Sequence, residues 1–70
     1  MTDDDVRNYH RGLSFEHACR CYAGMVETGE VALDRIRELA PAEMVAVLND
    51  YFQPDTDKDD FVWPVKAGAL

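Results

Sequence analysis

Phe15, Ala18, Cys19, Tyr22, Met25 and Val26 fall at relative positions 0, 3, 4, 7, 10 and 11. Side chains at that spacing share one face of an α-helix. Ser14 stands where a hydroxyl would cap the first turn, and Gly29 stands where a glycine would end the helix, after about Glu27. Glu16 and Arg20, four residues apart on another side, form a weak supporting pair. The apolar face of a helix this short is stable only against other elements, so the chain must supply them.

The remaining punctuation predicts further short helices. Thr2 followed by Asp3, Asp4 and Asp5 sets a hydroxyl cap before carboxylates that suit the positive end of a helix dipole. This helix would carry Val6 and Tyr9 inward and stop at Gly12. A third is expected from Val31 to Leu39, with Ala32, Ile36, Leu39 and Ala40 inward. Pro41 interrupts it, disfavours helical backbone at Ala40, and suits the first position of a new helix. From there to Phe52, the residues Met44, Val45, Leu48, Tyr51 and Phe52 again keep helical spacing, and Pro54 closes the element. The fold class is therefore all-α: a small bundle of three or four short helices with an extended C-terminal arm. Residues 1–53 form the helical part, 54–60 an acidic linker and 61–70 an apolar arm, within a single domain.

With 70 residues the chain can bury only a minimal core, so homodimerisation would be a natural supplement. The net charge of -7 is unevenly spread. Residues 1–5 carry -3, residues 6–49 only -1, residues 50–60 carry -4, and Lys66 returns +1. Acidity at the two ends argues against direct binding of nucleic acid or anionic membranes, whose phosphates attract Lys and Arg. It suits solubility or a protein partner with a basic surface. No apolar run approaches a membrane span, and the N-terminus opens on acids where a secretory signal has basic residues. Cys19 and Cys21, two apart on a helix, point to different faces. Two unpaired thiols suit a reducing, cytoplasmic location. Five Arg against two Lys, with a single Ile, match the usage of a GC-rich bacterial or phage genome.

Chemical motifs are weak. Asp55, Asp57 and Asp59 match positions 1, 3 and 5 of a calcium loop, but the sixth and twelfth places hold Asp60 and Lys66 in place of Gly and Glu. His17 and Cys21 are four apart and could share a zinc ion, with His10 or Cys19 nearby, yet there is no CxxC knuckle. A small zinc-binding structural protein is one alternative reading. Nothing resembles a nucleophile elbow, a phosphate-cradling loop or a metalloprotease helix, so no catalytic residue, metal ligand or cofactor is assigned and the chain is read as a non-enzyme. A helix-turn-helix through Glu27-Thr28-Gly29-Glu30 would lead with Glu30 and Asp34, which phosphates repel. An acidic DNA mimic that inhibits a nucleic-acid-binding protein is the other alternative. Its charge would have to come from the two ends.

The Asp-rich stretch runs straight into Phe61-Val62-Trp63-Pro64-Val65, which contains the only tryptophan. In extended backbone Phe61, Trp63 and Val65 share one side, with Val62 and Pro64 on the other. Trp63 either completes a core otherwise too small or anchors the arm in a partner, and exchange of the arm between subunits would satisfy both. The expected contact residues are Phe61, Val62, Trp63 and Val65 with Asp57, Asp59 and Asp60, because aromatic anchors with charged flanks are favoured in interfaces. The resulting expectation is a bacterial or phage accessory factor that acts by binding a host protein.

Overall fold

The computed structural model describes residues 2–64. Four helices follow in order: α1 (Asp3–Asn8), α2 (Phe15–Glu27), α3 (Leu33–Leu39) and α4 (Ala42–Tyr51). No strand occurs among the described residues. The architecture is the small all-α bundle that the apolar spacing predicts.

The helix ends follow from local chemistry. At α1 the Thr2 hydroxyl accepts from the Asp5 N–H and the Asp5 carboxylate accepts from the Thr2 N–H, each at 3.2 Å. This reciprocal capping box satisfies two otherwise orphaned donors. Ser14 caps α2 by accepting from the His17 N–H at 3.2 Å. At the other end of α2, the Glu30 N–H donates to the Met25 carbonyl (2.9 Å) and the Gly29 N–H to the Val26 carbonyl (3.1 Å). This double closure requires left-handed backbone at Gly29, whose φ is +82°.

Two boundaries differ from the sequence expectation. The third helix begins at Leu33, not Val31, because Ala32 is its extended N-cap residue, with ψ 145°. Ala32 is consequently exposed, while Val31 in the preceding turn is buried. Pro41 lies one place before its expected position, as the N-cap of α4 with ψ 141°. Tyr9, expected inside, is 39% exposed just past the end of α1.

The helices pack as α2 on α4, α1 on α3 and α3 on α4. Tyr22, Ile36, Leu48, Val6 and Cys19 are the largest fully buried side chains, drawn from all four helices. The phenol of Tyr22 lies inside, where an unpartnered hydroxyl would be costly. It donates to the Val6 carbonyl and so ties the end of α1 to α2. Outside the core, Arg37 reaches from α3 to the Asn49 side chain of α4 (2.9 Å), and Arg35 lies 3.7 Å from Asp3. Exposed contacts of this kind each contribute little. The core supplies most of the cohesion.

Candidate functional site

The site forms where the chain leaves α4. Tyr51 closes that helix on its buried side, and Phe52 follows as the C-cap. The acidic stretch then folds into consecutive turns. The Thr56 hydroxyl donates to the Asp50 carbonyl at 2.7 Å, and the Thr56 N–H to the Gln53 carbonyl at 3.1 Å. The Asp59 N–H donates to the Asp57 carboxylate at 3.0 Å, and the Asp60 N–H to the Asp57 carbonyl at 3.1 Å. Asp side chains favour such turns because they bond backbone donors two residues on. Every residue from 53 to 60 is exposed except the half-buried Thr56. The stretch is exposed to solvent, and it turns the chain back toward the bundle.

The reversal delivers Phe61 and Trp63 to Tyr51. Ring centroids lie 4.6 Å apart for Tyr51 and Trp63, 5.0 Å for Tyr51 and Phe61, and 4.9 Å for Phe61 and Trp63. Phe52 meets Tyr51 edge-on at 4.9 Å. Tilted and edge-to-face pairs at these separations let positive ring edges meet negative ring faces. Phe61 and Trp63 are half-buried against the core. Val62 projects the other way and is 84% exposed, and Pro64 is exposed too. The alternation is that of extended backbone.

Two further groups complete the corner. The Tyr51 hydroxyl donates to the Glu27 carboxylate at 3.2 Å, which joins α4 to the end of α2. Burial raises the Tyr51 phenol above its ordinary pKa, and the negative charge of Glu27, its hydrogen bond and Asp59 push the same way. The Lys58 ammonium lies 5.4 Å from the Tyr51 ring centre and 5.6 Å from that of Phe52.

Of the expected contact residues, Phe61 and Trp63 come together on Tyr51, Val62 stands on the outer side, and Asp57, Asp59 and Asp60 are exposed in the turns before them. Val65 lies outside the described residues. Sequence reasoning missed Tyr51 as the docking ring, and it missed Lys58 and Glu27. Lys58 left a signal, as the one cation in an acidic run flanked by aromatic residues. Glu27 left none, because only the packing of α2 on α4 brings it there.

The potential zinc ligands are not assembled. His17 is exposed, Cys21 half-buried and Cys19 fully buried. Among the described residues no group of three or more His, Cys, Asp or Glu is arranged for a metal ion. Burial pushes the Cys19 thiol up to about 11, which keeps it protonated and a poor metal ligand or nucleophile near neutrality.

The same shift predicts an alkaline weakness. Between the ordinary thiol value of 9.0 and the folded value of about 11, the folded chain keeps a proton that the unfolded chain has lost. The contribution of the thiol is therefore full below pH 9 and is lost as pH rises toward 11, by about 2 kcal/mol. The buried Tyr22 phenol is also raised, mainly by desolvation, and it adds in the same direction at higher pH. Urea unfolding measured on either side of pH 9 should show this loss, and Cys19→Ala should flatten it. An unchanged alkaline slope in that variant would remove Cys19 as the cause.

No protein-family model, no curated protein and no solved structure matches the chain. Its function must be argued from the corner itself. No helix among the described residues is long and apolar enough to cross a membrane.

Proposed function

We propose that this chain is a small acidic protein-binding module without catalysis, an accessory factor that acts by engaging a protein with a basic surface. The observation that carries the reading is Val62, an aliphatic side chain left 84% exposed at the tip of the aromatic corner. Its chain neighbours Phe61 and Trp63 keep part of their surface in solvent, and the exposed carboxylates of Asp57, Asp59 and Asp60 precede it in sequence. An apolar centre with a charged rim is the common anatomy of a protein interface. The rim would speed encounter with a basic partner, and the apolar tip would hold it.

The arginines of the bundle favour a protein partner over DNA. Arg35 and Arg37, the basic residues of α3, already face carboxylates at Asp3, Glu38 and Asp34. Charges held in this way have little left for phosphates.

The test is capture of host proteins on the immobilised chain beside a Val62→Asp variant. Because Val62 is exposed, the variant should melt within about 2 °C of the parent. Capture of any specific partner should fall about ten-fold or more, the effect of spoiling an interface centre. Equal capture by both proteins would sink this surface assignment.

A further inference from the structure

We propose that the aromatic corner is a receptor for an arginine side chain of the partner protein, and that Lys58 is its internal stand-in in the free chain. This rests on the reading of the corner as the protein-binding surface, and it assigns the chemistry of the group that enters.

Lys58 lies within the acidic stretch. It is the only cation between residues 50 and 60, and Asp57 and Asp59 flank it in sequence. None of the salt bridges among the described residues involves it. Its ammonium lies instead over the rings of Tyr51 and Phe52. A cation surrounded by exposed carboxylates thus takes the aromatic faces. Ring faces carry the negative lobe of the quadrupole and attract cations without themselves being strongly hydrated.

The neighbouring groups strengthen that preference. Glu27 hydrogen-bonds the Tyr51 hydroxyl, and Asp59 adds negative charge near the same phenol. Residues 50–60 together carry -4. A field of that sign concentrates incoming cations at the corner.

Arginine suits the site better than the lysine now holding it. A guanidinium is planar, stacks on rings and is less strongly hydrated than an ammonium. With Lys58 displaced, it can lie against the half-buried Phe52 ring beside the buried Tyr51, and its remaining N–H groups can pair with carboxylates. Lys58 holds its place through tethering, since a side chain on the adjoining turn is present at high effective concentration. A partner that brings an arginine to these rings would displace it. Lys58 would then move out toward the carboxylates, which solvent already reaches.

The experiment uses the full chain and its own reporter, since Trp63 is the only tryptophan and packs against Tyr51. Fluorescence of Trp63 is followed while a short acetylated Gly-Arg repeat peptide is added at low salt, beside the same peptide with citrulline for arginine. Citrulline keeps the shape and loses the charge. The arginine peptide should bind at least about five-fold more tightly than its citrulline counterpart. Lys58→Ala should tighten the arginine peptide a further two- to five-fold or so, by removing the internal competitor. Arg11→Ala removes the same charge from the α1–α2 turn and should change affinity less.

Equal affinity for the two peptides would overturn the proposal. So would identical effects of Lys58→Ala and Arg11→Ala, which would reduce the role of Lys58 to net charge. A Trp63 signal that changes with protein concentration alone would place a second copy of the chain at the corner and overturn the assignment to a partner. The two readings fail separately: host-protein capture that survives Val62→Asp removes the surface, whereas indifference to the guanidinium removes only its arginine.

Discussion

Tyr22→Ala is expected to abolish the folded state at room temperature. Tyr22 is fully buried, its ring lies 6.0 Å from that of Tyr9, and its hydroxyl bonds the Val6 carbonyl. Truncating a buried aromatic ring to alanine costs about 3–5 kcal/mol. A core this small supplies roughly 3–5 kcal/mol in all, so the two quantities cancel. Tyr22→Phe separates the ring from the hydroxyl. It keeps the packing, gives up one hydrogen bond, and should cost about 1 kcal/mol, or about 5 °C in Tm for a domain of this size. Far-UV circular dichroism with thermal melting reads both variants. A cooperative melt for Tyr22→Ala close to the parent would mean that α1 and α2 do not depend on this ring.

Trp63→Ala should give the second-largest loss, and a different kind. The ring is half-buried, so its removal forfeits part of a full burial together with its contacts to Tyr51 and Phe61. About 2 kcal/mol is expected, with a fall in Tm of roughly 10 °C and retained helicity. Capture of a partner should fall as well, because the corner loses one of its two half-exposed rings. Set beside Val62→Asp, which should change binding and leave the melt nearly unchanged, the pair separates two roles of one segment. A melt for Trp63→Ala that overlays the parent would show that the arm adds nothing to the stability of the bundle.

Local chemistry accounts for how much of the fold was legible. The apolar spacing of 15–26, the Thr2 and Ser14 caps and the glycine after α2 each act within a few residues. Such signals survive translation into structure because a capping bond or a helical face involves near neighbours only. Where two local rules competed, the reading slipped. Val31 and Ala32 fit the helical period, yet the closure of α2 at Gly29 uses up the next residues and leaves Ala32 as an extended cap. Tyr9 fits the period of α1, but the helix ends one residue before it.

The candidate site was legible in part for the same reason. Alternation along extended backbone places Val62 opposite Phe61 and Trp63, and an Asp-rich stretch before them is bound to stay in water. The packing of Trp63 was not legible: within the chain its ring lies against Tyr51 and Phe61, while part of it remains at the surface.

The chain's own pattern of caps, breakers and helical spacing determined that it forms a small bundle with acidic ends and an apolar segment after α4. It also determined which side of that segment Val62 would take, since backbone pleating is a property of adjacent residues. Only the tertiary structure decided that Tyr51 is the ring on which the segment closes, that Glu27 holds the phenol, and that Lys58 prefers aromatic faces to the carboxylates beside it. Those contacts join residues up to 24 positions apart. No local rule selects among such partners, because the choice is made by which surfaces the packed helices leave adjacent.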